Sequence, residues 1–453
     1  YAFQGATNLS SVTFEQDSSL NSIGSNAFYE AIALTSITIP ENVASIGSNA
    51  FQGATNLISV TFTEISSLKS IGPYAFYRAT ALTSITIPEN VEIIGSNAFG
   101  GATSLTNFAV DASNNYYKDI SGVLFDMSGE ILIAYPLGNA RTSYTIPTSI
   151  TDIKEDTFNR ATYLTSIIIP KSVVSIGSSA FSNMLELTSV TFAADSELTI
   201  MNEALFSDSQ KMTDITMPKN VTSIGDGVFW RNKSLTSITI PERVTSIGFN
   251  AFAHNESLTS ITIPGSVSSI GKFAFYECQN LSTVIFEPDS SLNIIEDSVF
   301  RYATSLTSII IPESVTFIRS TSFKDSGLST ATINVDRFGV GYFPTAVGQD
   351  QTIGGKTGVT IIGYKPFSGI GGLTQEKVKN TQLKGAVTVT IEGYTDISDN
   401  AFQGVTTMIS IDITDSVTSI GDYAFQGATN LSSVTFEPDS SLNSIGSNAF
   451  YEA

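Results

Sequence analysis

The chain of 453 residues is poor in the side chains on which most catalytic and metal centres depend. It has one histidine (His254), one cysteine (Cys278) and one tryptophan (Trp230). A single cysteine excludes an internal disulfide framework. Acyl transfer, metal-dependent hydrolysis and redox chemistry each need several such residues in one place. We therefore expect no enzyme activity, no cofactor and no metal site in this chain.

Charge is also scarce. Only 14% of the residues are charged, and 42 acidic residues against 22 Lys and Arg give a formal net charge of −20. Such a surface repels phosphate backbones, so we expect no nucleic-acid partner. No run of 18 apolar residues occurs, which predicts no membrane span. The polar surface must be built mostly from Ser, Thr, Asn and Gly.

What the chain has in abundance is an internal repeat. LTSITIPENVASIGSNAF at 34–51 recurs as LTSITIPENVEIIGSNAF at 82–99 and LTSITIPERVTSIGFNAF at 235–252. The period is about 23 residues in the shorter units and about 25 residues in the longer ones, and a fixed period in this range is typical of a solenoid. The longer units take their two extra positions in one loop, such as FEPDSSL at 286–292. A Phe closes each unit: Phe3, Phe28, Phe51, Phe76, Phe99, Phe158, Phe181, Phe206, Phe229, Phe252, Phe275, Phe300, Phe323, Phe402, Phe425 and Phe450.

Within one unit, Leu34, Ile37 and Ile39 alternate with polar residues. This period of two predicts a short half-buried strand that ends at Pro40. Burial in a single unit is too small to offset the ordering of its backbone, so stacked neighbours must supply the rest. Four more apolar residues of the unit are expected to point inward: Val43, Ile46, Ala50 and Phe51.

The closing motif IGSNAF predicts the opposite side of each unit. Its Gly relaxes the turn, and Ser25 or Ser48 is positioned to cap a single helical turn that carries the Phe.

The pattern LTSITIP-x-x-V-x-SIG-x-x-AF resembles the BspA-like, or Treponema pallidum-type, leucine-rich repeat. The resemblance covers most of the chain. It implies a right-handed, curved leucine-rich-repeat solenoid with a parallel β-sheet on its concave face. Short strands, turns and single helical turns are implied on the other side. It also implies an extracellular or cell-surface protein engaged in adhesion or matrix contact.

Two stretches interrupt the repeat and divide the chain. Residues 122–136 contain two apolar runs around a Ser-Gly turn, which predicts a β-hairpin packed on the array; a ligand loop around Tyr116 and Tyr117 is the alternative. The predicted organisation is a repeat array at 1–107, a repeat with an inserted hairpin at 108–145, an array at 146–333, a Gly-rich insert without repeats at 334–385, and an array at 386–453.

The Gly-rich insert contains GGKT at 354–357, which invites a phosphate-loop interpretation. The spacing excludes it, because Asp350 stands where a Walker loop needs Gly. A short helix near Gln375–Leu383, with Thr374 as its cap, is predicted instead. We expect the insert to be a lateral contact module that either joins neighbouring chains or interrupts the curvature of the array once per block.

The sequence at one end of the chain returns at the other. Residues 1–31 and 423–453 are identical except for Gln16 against Pro438, so that position 423 repeats position 1. Both copies lie inside the smaller repeat, so we expect Tyr1 and Ala453 not to be natural termini. The chain is predicted to be one period of a longer tandem array.

The strands present a candidate contact face. The outward position after the central Ile is repeatedly Thr, with Ser two residues before it, and parallel strands place such hydroxyls about 4.8 Å apart. Protein or glycan binding across this face is one hypothesis, and ice or crystalline polysaccharide binding is a remote one. Thr is also simply a good strand former, and Ala109, Ile168, Ile285, Ile309 and Asp412 interrupt the column. The candidate residues are Ser36, Thr38, Ser59, Thr61, Ser84, Thr86, Ser237, Thr239, Ser260 and Thr262.

Four aromatic residues directly follow a closing Phe and are candidates for lateral contacts: Tyr29, Tyr77, Trp230 and Tyr276. Local packing against the neighbouring turn is the alternative. His254 stands at a turn position and is expected to be exposed. Cys278 stands where other units carry Ala, which predicts a small, inward-facing residue.

Six N-x-S/T sequons occur because the repeat often places Asn before LTS or LSS, so glycosylation is expected only if the source secretes the chain and has the machinery. They begin at Asn8, Asn220, Asn232, Asn255, Asn280 and Asn430.

Two functional hypotheses remain in view. The first is a structural fibre or surface-layer component whose partner is itself, by tandem or lateral assembly. The second is an adhesin whose partner is a surface protein or glycan, and it predicts that binding concentrates where the strand residues depart from Ser and Thr.

Overall fold

The computed structural model describes residues 1–15, 18–334, 348–353, 356–373 and 387–453. Its backbone contacts define two units. Unit 1 comprises Tyr1–Pro264 and Gly271–Gln279, and unit 2 comprises Gly265–Ile270 and Asn280–Ala453. Each unit is a solenoid of short β-strands in which one sequence repeat forms one turn.

The strands of unit 1 are β1 (Ser22–Ile23), β2 (Ser36–Ile39), β3 (Ser45–Ile46), β4 (Ser59–Phe62), β5 (Ser70–Ile71), β6 (Ser84–Ile87), β7 (Ile93–Ile94), β8 (Asn107–Val110), β9 (Tyr117–Ile120), β10 (Val123–Asp126), β11 (Ile131–Ala134), β12 (Ser143–Thr145), β13 (Asp152–Ile153), β14 (Ser166–Ile169), β15 (Ser175–Ile176), β16 (Ser189–Phe192), β17 (Ile200–Met201), β18 (Ser223–Ile224), β19 (Ser246–Ile247) and β20 (Ser260–Ile263).

Two parallel sheets run through the first turns of unit 1. Strands β2, β4, β6 and β8 form the long-strand sheet, and β1, β3, β5 and β7 form the short-strand sheet. Ser22 pairs with Ser45 across a repeat of the shorter kind, and Ser45 pairs with Ser70 across a repeat of the longer kind. The two extra positions of the longer repeat therefore do not shift the register.

The interior is the apolar column that the periodicity predicts. Leu34, Ile37 and Ile39 are at most 2% exposed, and so are Val43, Ile46, Ala50 and Phe51. The closing Phe rings stack from turn to turn, with centroids of Phe28 and Phe51 5.1 Å apart and their planes 8° from parallel. Each ring is thus buried by its neighbours rather than by its own turn, and the predicted inward positions are confirmed.

The Phe lies on a corner built from left-handed residues, not on a helical turn. Two residues before and after Phe28, Asn26 and Glu30 both have φ of 56°. The N–H groups of Asn26, Phe28 and Glu30 donate to carbonyls of the next turn at 2.7–2.9 Å. A left-handed residue every four positions prevents the i to i−4 bonds of a helix, so the helical turn expected after Ser25 and Ser48 does not form.

In most turns a glycine follows the short strand and is required by close approach, whereas Lys154, Asn202, Glu296, Arg319 and Ser398 fill this position in other turns. A Cβ built on Gly47 would lie 2.5 Å from the backbone N of Ser25 in the preceding turn. The Gly of the IGSNAF motif therefore lets neighbouring corners stack, a role beyond the relaxation of the turn predicted from sequence.

The interruption after Phe99 contains the predicted hairpin. Strands β10 and β11 are antiparallel, and β11 then pairs in parallel with β13, Ile131 opposite Asp152. The insert thus forms one five-stranded sheet with the short strands β13 and β15 of the turns that follow it. The hydroxyl of Tyr117 accepts the N–H of Ile94 at 3.0 Å and donates to the carbonyl of Glu92 at 3.2 Å, which ties the insert to the array.

The tip of the hairpin is held by one carboxylate. Asp126 Oδ1 accepts the N–H groups of Gly129, Glu130 and Ile131 at 2.8–3.1 Å. Although partial burial acts the other way, the hydroxyl of Ser128 and these N–H groups hold the pKa of Asp126 below its usual range.

Unit 2 continues the same pattern around a longer strand. Strand β28 pairs in parallel with β26 and β29 and antiparallel with β27. The helix predicted at Gln375–Leu383 lies outside the described residues. So do Gly354 and Gly355 of the GGKT motif. The strands are β21 (Ser269–Ile270), β22 (Thr283–Phe286), β23 (Ile294–Ile295), β24 (Ser308–Ile310), β25 (Phe317–Ile318), β26 (Thr330–Asn334), β27 (Gly348–Ile353), β28 (Lys356–Leu373), β29 (Val387–Ile397), β30 (Met408–Ile413), β31 (Ser419–Ile420), β32 (Ser433–Phe436) and β33 (Ser444–Ile445).

Candidate interaction surface

The outward side of the long-strand sheet carries the predicted hydroxyl columns. Ser36 pairs with Ser59 and Thr38 with Thr61 across β2 and β4, and the hydroxyls of Thr38 and Thr61 share a hydrogen bond of 2.9 Å. Of the ten candidate residues, nine are exposed and Ser59 is half-buried. Thr239 forms an isolated parallel bridge with Thr216. The geometry offers closely spaced donors and acceptors at strand spacing.

A second set of Thr residues, just before several of the long strands, donates hydrogen bonds between neighbouring turns. The Thr106 hydroxyl donates to the carbonyl of Thr83 at 3.0 Å, and Thr188 does the same to Thr165. These donors are used between turns and are not available to a ligand. The recurrent Thr of the LTS motif is the signal that sequence reasoning left unused.

Apolar residues break the hydroxyl columns at particular strands. Ile168, Ile285 and Ile310 are 49%, 51% and 70% exposed. The sequence prediction named Ile309 in this column, but Ile309 is 3% exposed and faces the core. The strand Ser308–Ile310 alternates exposed, buried, exposed, so the outward residue is its neighbour Ile310.

The candidate contact residues Trp230 and Tyr276 belong to one strip of rings. The imidazole of His254 lies edge-on to both, with centroid distances of 6.2 Å to Trp230 and 5.4 Å to Tyr276. Phe273 packs edge-on to Tyr276 at 5.5 Å, and the Arg231 guanidinium lies 4.8 Å from the Trp230 ring centre. We call these five side chains the aromatic strip. Its two candidate residues are half-buried, so part of each ring is engaged within unit 1.

Tyr29 and Tyr77 are likewise half-buried. Tyr77 packs edge-on to Tyr74 at 5.5 Å, and the guanidinium of Arg78 lies 5.4 Å from its ring centre. Local packing thus engages these rings too, which leaves only part of each for a partner.

The lone histidine and the lone cysteine have separate partners. His254 Nδ1 lies 3.0 Å from Glu277 Oε2, and its side chain is 28% exposed, less than the sequence prediction of an exposed residue. Cys278 is fully buried, as predicted, and its Sγ donates to the carbonyl of Phe252 at 3.1 Å. Burial raises the pKa of the Cys278 thiol to about 12. A thiol held this way is no nucleophile at neutral pH.

The sequons divide by burial. Asn8, Asn280 and Asn430 are exposed, whereas Asn232 and Asn255 are fully buried. Asn255 Nδ2 donates to the carbonyl of Phe229 at 2.9 Å. A glycan on either buried amide is incompatible with the folded unit.

In the ranges that the structure describes, no three His, Cys, Asp or Glu side chains assemble into a metal site. Over the same ranges, no helix has the length and apolar character needed to cross a bilayer.

Comparison with known proteins identifies the family of the repeat. A family model described as the BspA type leucine rich repeat region matches six copies, over residues 1–125, 138–233, 223–345 and 386–453. No curated protein matches the chain.

Among solved structures, a leucine rich cell surface protein from Faecalibacterium prausnitzii is 33% identical with a TM-score of 0.49, over 52% of this chain and 62% of that one. The pneumococcal vaccine antigen PcpA is 24% identical (TM-score 0.47, 72% of this chain, 68% of that one). A leucine-rich repeat protein from Eubacterium ventriosum is 25% identical (TM-score 0.48, 60% of this chain, 81% of that one). The chain thus spans less than two thirds of the first of these proteins.

Proposed function

Because the chain belongs to the BspA-type leucine-rich repeat family, we propose that it is a structural component of an extracellular surface layer or fibre that acts by self-association. Members of this family are surface proteins, and the leucine-rich repeat solenoid is typically a non-catalytic scaffold for protein–protein interaction. The chain's single His and single Cys, each engaged in local contacts, suit such a scaffold better than an enzyme.

One observation carries the proposal: residues 1–31 and 423–453, which differ at one position, fold into the same turn. Phe3 stacks on Phe28 with their planes 8° apart, and Phe425 stacks on Phe450 with theirs 7° apart. The corner residues agree as well, since φ is 56° at Asn26 and 54° at the equivalent Asn448. A turn that follows residues 1–31 would therefore also follow 423–453 without change of register.

A repeat array gains stability from each neighbour that covers its open face. We infer that the sequence that returns at position 423 continues into further blocks, each of which would supply such a neighbour. A stiff element of this kind suits a load-bearing layer.

The size and shape of the intact native polypeptide test the proposal. We would run material taken directly from the source on a denaturing agarose gel and view it by negative-stain electron microscopy. A very large chain, seen as filaments with a recurrent spacing, is the expected result. A discrete chain near 48.2 kDa, seen as separate particles, contradicts the tandem array.

A second candidate function is recognition of a surface protein or glycan on the outward faces of the long strands. The exposed side chains of Ile285 and Ile310 favour it, because they depart from the hydroxyl columns on the strands β22 and β24. Exposed apolar side chains of this kind often mark contact sites when they cluster.

Screening of glycan and surface-protein arrays would test recognition. Ile310→Asp should weaken a bound partner, whereas Ile65→Asp, at a residue 73% exposed in a loop, serves as control. Equal binding by both variants would exclude the outward face of β24 as the recognition surface.

A further inference from the structure

Regular turns of unit 1 contact their neighbours through four rows of interactions. The long strands and the short strands each pair in a parallel sheet, which gives two rows. The corner N–H groups give the third row, since those of Asn49, Phe51 and Gly53 donate to carbonyls of the next corner at 2.7–3.0 Å. The stacked Phe rings give the fourth, with centroids of Phe51 and Phe76 5.2 Å apart. In a repeat protein, such contacts between neighbours determine how far unfolding spreads.

Both rows of strand pairing end at the same level, just before the insert. Strands β7 and β8 are the last members of their sheets. The strands that follow form separate sheets, one containing β9, β10, β11, β13 and β15 and the other β12, β14 and β16. We call residues 18–110 the first block and residues 131–264 the second block. Within these described residues, no strand of the first block pairs with a strand of the second.

The corner row is interrupted at this level as well. Among the described residues, the N–H groups of Asn97, Phe99 and Gly101 have no acceptor. The reason is the length of the next corner. Tyr135 follows the buried, inward residue Leu132 by three positions, whereas the closing Phe of a regular turn follows its inward residue by five. The insert turn is therefore two residues too short to present the matching carbonyls.

The ring column is interrupted between Phe99 and Tyr135. Phe99 lies edge-on to Phe108 of its own turn at 5.2 Å, and Tyr135 packs on Phe158 of the following turn at 4.9 Å. A cavity of about 40 Å³ lies between the two corners, and its lining includes Phe99 and Tyr135. The buried apolar cluster around Phe99 has Leu124 of the insert as its last member. The fully buried core of the first block thus ends before the second block begins.

Isolated contacts join the blocks in place of these rows. The N–H of Gly138 donates to the carbonyl of Leu105 at 2.8 Å. The side-chain amide of Asn97 donates to the carboxylate of Asp156. The Tyr117 hydroxyl, described above, ties the insert to the first block. Side chains thus carry much of a connection that backbone groups carry elsewhere.

A second level in unit 1 provides a comparison. The sheets that contain β15 and β16 also end there, since β17 starts a new sheet. At that level, however, the N–H of Phe181 donates to the carbonyl of Leu205 at 3.0 Å, and the rings of Phe181 and Phe206 stack at 5.4 Å. Strand pairing thus stops there without loss of the other two rows, whereas all four stop after Phe99.

We propose that the level between the two blocks is a boundary of cooperative unfolding, so that each block of unit 1 unfolds without the other. The coupling between neighbouring repeats sets how far an opening spreads, and it is weakest where all four rows stop. The inference concerns a single chain and does not require the self-association proposed above. In a layer under load, one block can unfold while the other stays folded, so the chain lengthens in steps.

Hydrogen exchange of the full chain, followed by mass spectrometry with residue-level fragmentation, tests the boundary. In wild type, the amides of Asn97 and Phe99 should exchange about tenfold or more faster than those of Asn49 and Phe51, because only the latter pair has acceptors. The equivalent positions of a regular turn thus serve as the internal control.

Two matched substitutions test how far an opening spreads. Phe51→Leu removes ring contacts in the first block, and Phe181→Leu does so in the second. Each should speed exchange of strand amides in its own block by about tenfold and leave the other block within about twofold of wild type. Phe181→Leu should also speed exchange around Phe206, because the corner and ring rows continue there. Ile37→Val, a smaller change at a buried residue of the first block, replaces Phe51→Leu if that variant does not fold.

Two results would overturn the inference. One is wild-type exchange at Asn97 and Phe99 that is as slow as at Asn49 and Phe51. The other is faster exchange in both blocks when either block is substituted. Neither result bears on assembly of the chain, so this inference and the proposed function fail separately.

Discussion

Two backbone positions in most turns, two residues before and two after the closing Phe, determine the fold of the corner. Their φ values lie in the left-handed region, which favours Gly and Asn over other residues. Ala204 occupies the first of these positions with φ of 52°. The repeat tolerates it because contacts with both neighbouring turns fix the corner.

Ala204→Gly should raise the free energy of unfolding by about 0.5–1 kcal/mol, because Gly adopts this φ without the Cβ clash. Asn49→Ala, at an equivalent corner with φ of 57°, should lower it by roughly 1 kcal/mol. Urea unfolding followed by circular dichroism measures both. Ala44→Gly, outside the left-handed positions, is the control and should not stabilise. A loss of stability in Ala204→Gly would contradict this account of the corner.

Cys278 gives a second test at the same scale. The unfolded thiol has a pKa near 9.0, and burial raises the folded value to about 12. Folding therefore favours the protonated form, and this contribution is complete below pH 9 and is lost as pH rises from 9 towards 12. The free energy of unfolding of wild type, measured with urea, should fall more over this pH range than that of Cys278→Ala. Ala is the suitable replacement because it fills this position in other turns. A native thiol that reacts readily with Ellman's reagent in mildly alkaline buffer would contradict its burial.

At the scale of the element, the hairpin β10–β11 depends on one carboxylate at its tip. The folded pKa of Asp126 lies below the usual value of 3.8, so its stabilisation is present above that pH and is lost as pH falls through the folded pKa. Asp126→Ala should cost about 1–3 kcal/mol near neutral pH, with the difference from wild type shrinking in strong acid. Chemical denaturation at several pH values measures it. Glu130→Ala, at an exposed residue of the same hairpin, controls for loss of charge, and a deficit independent of pH would rule out the ionised carboxylate as the cause.

The aromatic strip is an element-scale test of lateral contact. Trp230→Ser with Tyr276→Ser removes edge-to-face contacts with His254, each worth about 0.5–1.5 kcal/mol. Folding should survive this loss, and lateral association seen by electron microscopy should weaken. Tyr116→Ser, at an exposed aromatic residue of the insert, is the control. Unchanged association in the double variant would assign the strip to local packing alone.

The sequence predicted the strands and the hairpin better than it predicted the backbone conformation of the corners between them. Alternation at Leu34, Ile37 and Ile39 located the strands, and Ser-Gly between apolar runs located the hairpin. The corner was expected to be helical because Ser, Asn and Ala near its start are also typical of capped helices. Only the paired left-handed residues, which need the neighbouring turn, distinguish the two.

The surface was harder to predict, because side-chain partners come from other turns. His254 was expected to be exposed, yet Glu277, at the equivalent position of the next turn, pairs with it. Because successive residues of a strand face opposite sides, an error of one position in the alignment of a strand exchanges its outward and inward residues. This explains why Ile309 was named in place of Ile310. The ten hydroxyl positions follow from the period of two alone, so they were predictable.

At the scale of the whole molecule, charge is the dominant general property. A net charge of −20 with a pI near 4.3 means that folding concentrates like charges. Raising ionic strength should increase the midpoint of thermal unfolding by screening this repulsion. Differential scanning calorimetry in sodium chloride measures it, with sucrose at matched osmolality as the uncharged control. A midpoint that falls with salt would mean that the attractive ion pairs outweigh the repulsion.

Hydrogen bonds between neighbouring turns point in opposite directions on different sides of each solenoid unit. At the corner, Phe28 N–H points forward to Ala50, whereas at the short-strand sheet Gly47 N–H points back to Ile23. Peptide dipoles therefore largely cancel along the stacking direction, unlike those of an α-helix, which add along its axis. Adding turns therefore builds up no helix-like partial charge at the two ends of such an array.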